Sequence, residues 1–162
     1  MSEAALTTRR GRDEYPKRRL RLWLRMLRTT RQVEARLRDY LREEHGTTLP
    51  RFDVLAILDR EGRDMKMSEL SRRLLVSNGN VTGIVERLVL DGLVDRVPRD
   101  DDRRAMRVRL TDKGREAFKK MAAGHEAVLD SLFRDLDHDA LDALRSEFAK
   151  LKPLRKVDDE TG

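Results

Sequence analysis

The stretch SNGNVTGIVERL, residues 77 to 88, sets Asn78, Asn80, Thr82 and Arg87 among two glycines and an apolar series with helical spacing. Asn and Arg carry the bidentate geometry that matches adenine and guanine edges, and Thr suits a thymine methyl or a phosphate. At about 100° per residue, Val81, Ile84, Val85 and Leu88 share one helix face. Gly79, Thr82, Gly83 and Glu86 point the opposite way, with Asn80 and Arg87 beside them. Ser77 and the amides after it suit a phosphate at the positive end of the helix. Two readings stand: Ser77 merely caps a helix with a solvated polar face, or the open face is shaped to meet something. Gly79 and Gly83 favour the second, because each costs about 1 kcal/mol of helix propensity relative to Ala while letting another backbone come close.

A second cationic set follows. Arg99, Arg103, Arg104, Arg107 and Arg109 lie on a narrow projection around PRDDDRR, residues 98 to 104. Such a projection suits contact with a nucleic-acid backbone, or insertion of one arginine into a minor groove. Asp100, Asp101 and Asp102 seem to oppose this, yet a carboxylate beside Arg104 would fix the guanidinium by a bidentate pair and leave its remaining donors outward. A charged, solvated turn is the competing reading. Arg72 and Arg73 suit phosphates at best, and the basic run from Arg9 to Arg31 reads equally as a solvated helix face, a backbone clamp or a pocket for an anion.

Several chemistries are excluded. The chain has no cysteine, which removes disulfides, thiolate zinc sites and thiol nucleophiles. His45, His125 and His138 include no pair at the spacing of a helical metal site. No paired carboxylates, nucleophile elbow or phosphate loop stands out, so neither an enzyme nor a bound cofactor is expected. His125 reads as a packing residue, and Trp23 as core. The net charge of +6 favours a polyanionic partner. Composition alone leaves nucleic acid and an anionic membrane both open. No apolar run approaches the roughly 20 residues of a membrane span, and no apolar signal core begins the chain. The expectation is a cytoplasmic protein with no membrane partner.

The elements that must position these residues follow from periodicity over 162 residues with 41% charged content. Residues 1–14 read as a flexible basic arm. A first helix is expected from Tyr15, with Pro16 in its first turn, carrying a stripe of Leu20, Trp23, Leu24, Leu27, Thr30, Val33, Leu37 and Tyr40 up to His45-Gly46. A second runs from Thr47-Thr48-Leu49-Pro50 to Gly62, and a short third covers SELSRRLL, residues 68 to 75, with Leu70, Leu74 and Leu75 inward. The opening stretch forms the fourth, stopped by Asp91-Gly92. Strands are expected over 93–97 and 105–110. Thr111 caps a fifth helix with Phe118, Met121, His125, Val128, Leu132 and Leu136 on one seam, and a sixth carries Leu141, Leu144, Phe148 and Leu151. The fold class is mainly α with a small β-hairpin wing, in the order α-α-α-α-β-β-α-α. A helix-turn-helix lobe spans 47–111, a helical region 15–46 and 112–156, and a flexible tail 157–162.

From Leu20 to Leu151 the chain resembles the MarR family of winged-helix transcriptional regulators. The match is strongest in MSELSRRLLVSNGNVTGIVERLVLDGLVDRVPRDDDRRAMRVRLTDKG, residues 67 to 114. It joins the helix pair, the GLVDR strand entry, the Asp102–Arg104 wing tip and the VRLTDKG exit. The resemblance implies a homodimer in which the first helix and the last two interlock. It further implies a repressor that reads a palindromic operator in double-stranded DNA and is released by a small-molecule effector. Long apolar stripes on the terminal regions agree with an interface. In one departure, Gly83 follows Thr82 where many members have Arg, which shifts base readout toward Asn80, Thr82, Arg87 and the wing.

The SNGNVTG form, with LWLRMLR (22–28) and TTLPRFDVLAILDR (47–60), looks more like a subgroup governing aromatic-acid catabolism, some of whose members sense aromatic acyl-CoA thioesters. That closer likeness implies a cleft around Trp23, Met26, Leu27, Thr30, Phe52 and Leu55 for the aromatic part. Arg21, Arg25 and Arg51 would meet phosphates. The competing function is an architectural or protein-interaction winged-helix protein that binds DNA without strong sequence preference.

Overall fold

The computed structural model describes residues 3–74, 78–98 and 106–151, with side chains from Tyr15 onward except that of Asn78. Among the described residues, six helices and three short strands follow in the order α1 (Glu3–His45), α2 (Leu49–Glu61), β1 (Met65–Lys66), α3 (Met67–Leu74), α4 (Asn78–Leu90), β2 (Val94–Val97), β3 (Arg107–Leu110), α5 (Asp112–Phe133) and α6 (His138–Ala149). The expected order holds, with two corrections.

Helix α1 is continuous from Glu3, so Pro16 lies inside it and not in its first turn, and residues 3–14 are helix instead of a separate arm. Proline removes one backbone donor. The Ala, Leu, Glu and Arg residues before it favour the helical state. The second correction is β1. It pairs antiparallel with β3 through Met65↔Val108 and Lys66↔Arg107, while β2 pairs with the other edge of β3, so the hairpin is part of a three-stranded sheet ordered β1-β3-β2.

The chain divides into two units, Met1–Leu129 and Asp130–Gly162. The first holds the core. Leu41, Val54, Met65, Leu70, Val81, Val85, Leu88 and Val108 have no exposed surface, and Phe52, Leu55, Leu58, Val94, Leu110 and Met121 are buried with them. Helix α1 enters this core only at its C-terminal end, through Leu37 and Leu41; Leu20, Trp23 and Leu24 of the same stripe are more than half exposed. The second unit has Leu141, Leu144 and Phe148 exposed on α6, which Asp137 caps by accepting from the Ala140 amide at 2.8 Å.

Local signals explain the boundaries. Gly62 closes α2 in the left-handed conformation, its amide bonded to the Leu58 carbonyl. Gly92 does the same after α4 with φ of +71°. Thr111 caps α5 as expected: its Oγ1 accepts from the Gly114 amide at 2.9 Å and donates to the Gly92 carbonyl at 2.8 Å. Gly114 lies so close to β2 that a Cβ there would meet the Leu93 carbonyl oxygen at 1.9 Å.

Two outcomes follow. Gly114→Ala should lower stability by about 3 kcal/mol, the upper end of the usual overpacking range, because the obstacle is backbone. Urea unfolding will read it, and a loss under half that size would mean the joint is looser than described. His125 packs as expected, its ring stacked on Phe52 at 4.5 Å. Burial pushes its imidazole below the ordinary histidine range, against the opposing pull of Glu126. The unfolded chain then takes up the proton first, so stability should fall as pH drops through about 6.5 toward the lower folded value. A His125→Phe chain should lack that component, measurable by urea titrations across pH 7.5 to 5.5.

Candidate nucleic-acid interface

The helix pair α3–α4 is built around one fully buried stripe. In α4, Val81, Val85 and Leu88 are completely covered and Ile84 is half-buried, while Gly79, Asn80, Thr82, Gly83, Glu86 and Arg87 are exposed. This is the division that a rotation of 100° per residue requires. A Cβ built at Gly79 or Gly83 meets nothing within 4 Å. Among the described residues, neither glycine is needed for packing or for an unusual backbone angle, since the glycines with positive φ there are Gly46, Gly62 and Gly92. The two glycines of the open strip therefore have no internal cause among the described residues.

Charge is distributed unevenly around the strip. Glu86 faces Arg96 of β2 at 3.4 Å, and Arg73 of α3 is held by Glu61 at 3.0 Å. Arg63 joins the same cluster, and its hydrogen bond holds the Glu69 carboxyl well below the usual range, at about 2. Arg72 and Arg87 are exposed, with no ion pair among the described residues. Among the described residues, nothing holds these two cations in an ion pair, whereas Arg73 would have to leave Glu61 to meet an outside anion.

At the base of the hairpin, Val108 and Leu110 turn into the core and Arg109 turns outward, 3.8 Å from Asp95. Arg107 was expected to project toward a ligand with the other wing arginines. It is instead half-buried, its Nη1 donating to the Asp64 carbonyl at 3.3 Å and its Nε enclosed without a partner. Ser77, Arg99, Asp102, Arg103 and Arg104 lie outside the described residues, as does the side chain of Asn78.

The nine residues expected to line an effector cleft fall into three settings. Phe52 and Leu55 are buried core, with Phe52 against Phe118 and His125. Arg21, Trp23, Arg25 and Thr30 are exposed on α1, with Met26 and Leu27 half-buried. Arg51 is only 19% exposed and forms an ion pair with Asp91, at the end of α4. Sequence reasoning missed this pair, and it missed Arg96 as the partner of Glu86. Arg96 sits ten residues from Glu86 and Asp91 forty from Arg51, so no helical or strand period links either pair. Among the described residues, no group of three or more His, Cys, Asp or Glu side chains is placed to hold a metal ion.

Known proteins place this arrangement. Residues 45–105 match the MarR family. The chain is 30% identical over 118 residues to the HTH-type transcriptional repressor MdtR of Bacillus subtilis, covering 73% of this chain and 76% of that protein. It is 33% identical over 102 residues to the uncharacterized HTH-type transcriptional regulator YkoM of the same organism, covering 63% of this chain and 66% of that protein, just short of two thirds. Among solved structures, a mutant MarR from E. coli complexed with operator DNA aligns with a TM-score of 0.73 at 26% identity, over 82% of this chain and 94% of that one. Since the likeness to MdtR reaches 30% identity over more than two thirds of both chains and the matched residues 45–105 contain the helix pair α3–α4, the chain belongs to the MarR family of winged-helix transcriptional regulators.

Proposed function

We propose that this chain is a homodimeric, sequence-specific DNA-binding regulator, a repressor released from a palindromic operator by a small effector. The observation that carries the reading is the open face of α4. Two glycines without packing contacts among the described residues lie beside exposed Asn80, Thr82 and Arg87, on a helix whose other face is sealed into the core. The name of MdtR as a repressor and the operator DNA bound to the E. coli protein support it.

In this reading α4 enters the major groove, Asn80, Thr82 and Arg87 meet base edges, and Gly83 allows the close approach. Arg72 and Arg73 take phosphates, with Ser77 and Asn78 at the helix start. Arg99, Asp102, Arg103 and Arg104 form the wing contact, and Arg107 braces its base against β1. Exposed Leu20, Trp23 and Leu24 on α1, and Leu141, Leu144 and Phe148 on α6, favour a second copy joined through the helical region of residues 15–46 and 112–156. An aromatic acid or aromatic acyl-CoA is the effector class that the subgroup likeness supports, with the α1 residues around Trp23 near the dimer seam. A regulator of this kind works in the cytoplasm.

The reading has two measurable consequences. In gel-shift competition the protein should prefer a palindrome with half-sites about 10 base pairs apart over random DNA. The margin should be about 10³ or more at physiological salt, and equal competition would favour an architectural, sequence-indifferent role. Gly83→Ala should raise stability by about 0.5–1 kcal/mol, because its Cβ meets nothing in the folded chain. The same variant should weaken operator binding at least tenfold, by roughly 1.4 kcal/mol. Gain of stability with unchanged affinity would remove the close-approach role of Gly83.

A further inference from the structure

Glu61, the last residue of α2, faces two arginines at once. Arg73 in the last turn of α3 places Nη1 3.0 Å from Glu61 Oε1, and Arg63 in the loop before β1 places Nη2 3.5 Å from Oε2. The Glu61 side chain is only 15% exposed, whereas both arginines are about half exposed. The carboxylate is therefore enclosed, and the guanidinia on it are within reach of solvent.

The two arginines are not held alike. Arg63 also donates both its Nη1 and Nη2 to Glu69, in the first turn of α3, and its Nη1 to the Asp64 carbonyl. Those bonds fix Arg63 beside Glu61. Arg73 has Glu61 as its ion-pair partner among the described residues. An enclosed carboxylate stripped of every cation is costly, because it has lost its water and gained nothing in return. If Arg73 turns outward, Glu61 does not reach that state, since Arg63 stays within 3.5 Å. Arg73 is thus the cation that can leave, and Arg63 the one that remains.

We propose that Glu61 competes with the DNA backbone for Arg73, and that Arg63 is the reserve cation that lets Arg73 go. This rests on the reading of α3–α4 as a DNA-binding pair, and it adds two positioning residues that touch no DNA yet set its affinity. In the free chain Arg73 lies on Glu61. On a duplex its guanidinium passes to a phosphate, and Glu61 falls back on Arg63. The exchange weakens binding to every duplex alike, because phosphates carry no sequence information. Glu61 therefore holds down binding to bulk DNA while leaving the discrimination made by α4 untouched.

Fluorescence anisotropy on the full chain decides it, with a labelled random-sequence duplex and the DNA upstream of the protein's own gene, across a salt series. Arg73→Gln should weaken binding to both and flatten the log–log salt slope by about 0.9, one phosphate contact. Glu61→Gln should strengthen binding to both by about three- to fivefold, the size of a partly exposed ion pair. The gain should vanish when Glu61→Gln is made in an Arg73→Gln chain, which neither a merely structural role nor a change of net charge would produce. Arg63→Gln should weaken binding, and should cease to do so once Glu61 is replaced. If Glu61→Gln fails to fold by circular dichroism, Glu61→Asp, which withdraws the carboxylate from Arg73, should give a smaller gain that again needs Arg73. Unchanged affinity in Arg73→Gln, no gain on replacing Glu61, a gain that persists without Arg73, or an Arg63→Gln loss that persists without Glu61 overturns the exchange. Equal binding of the two duplexes with these couplings intact would sink the regulator reading and leave the exchange standing. Absence of binding to either duplex overturns both.

Discussion

The turn Asp91-Gly92-Leu93 is the joint on which the rest of the lobe depends. Gly92 reverses the chain with φ of +71°, a region that strains a residue bearing a Cβ by roughly 1–2 kcal/mol. The Gly92 amide then bonds to the Val89 carbonyl, and the Leu93 amide to that of Leu88, both at 2.9 Å, so α4 ends with its last carbonyls satisfied. The remaining polar groups of the turn are engaged by three residues at the start of α5 and in α2. Thr111 donates its hydroxyl to Gly92 and its amide to Leu93, Lys113 reaches the Asp91 carbonyl, and Arg51 reaches the Asp91 side chain. One turn thereby sets where α4 stops, where β2 begins, how closely α5 starts and where α2 leans.

That joint also decides which way α4 faces. With the C-terminal end pinned, Val81, Val85 and Leu88 can only enter the core, and the opposite strip is left outside. Exposed ion pairs near it add little stability, since such pairs are typically worth 0–1 kcal/mol. Their effect is allocation. Glu61 occupies Arg73, Arg96 faces Glu86, and Asp95 stands by Arg109, which leaves Arg72 and Arg87 as cations with no such commitment among the described residues. A count of arginines on this surface would overstate what a phosphate backbone could use.

Much of this was legible in the chain. The helices and the hairpin announced themselves because their apolar periods are long enough to distinguish 3.6 from 2, and the inward and outward faces of α4 followed from the same geometry. Strand β1 was not legible: two residues, Met65 and Lys66, are too few to show an alternation, and they are a strand only because β3 lies beside them. Pro16 read as a boundary because proline is commonest in a first turn, whereas here good helix formers continue on both sides. The site was legible where it is local and illegible where it is assembled. Arg107 has a strand position that points outward by alternation, yet the Asp64 carbonyl draws its guanidinium back. Arg51 sits among apolar α2 residues like a pocket cation, and only the folded chain brings Asp91 to it.

Helix α1 shows how far one chain accounts for its own surface. A single stripe runs from solvent into the core, from Leu20 at 56% exposed to Leu41 at zero, so its inner end is sealed by the lobe and its outer end is not. Between Lys17 and Arg31 the helix carries lysine and arginine and no carboxylate. Helix α6 carries exposed Leu141, Leu144 and Phe148 among Asp139, Asp142 and Glu147, with Arg145 paired to Asp142 at 3.3 Å, so its carboxylates outnumber its one arginine. An apolar stripe framed by cations is best covered by an apolar stripe framed by carboxylates, because burial then removes hydrocarbon from water while the flanking charges attract across the rim. On the dimeric reading proposed above, a second copy supplies such a surface. The rim charges would then act mainly on encounter and register, within a Debye length of roughly 8 Å at physiological salt, and the buried hydrocarbon would carry the affinity.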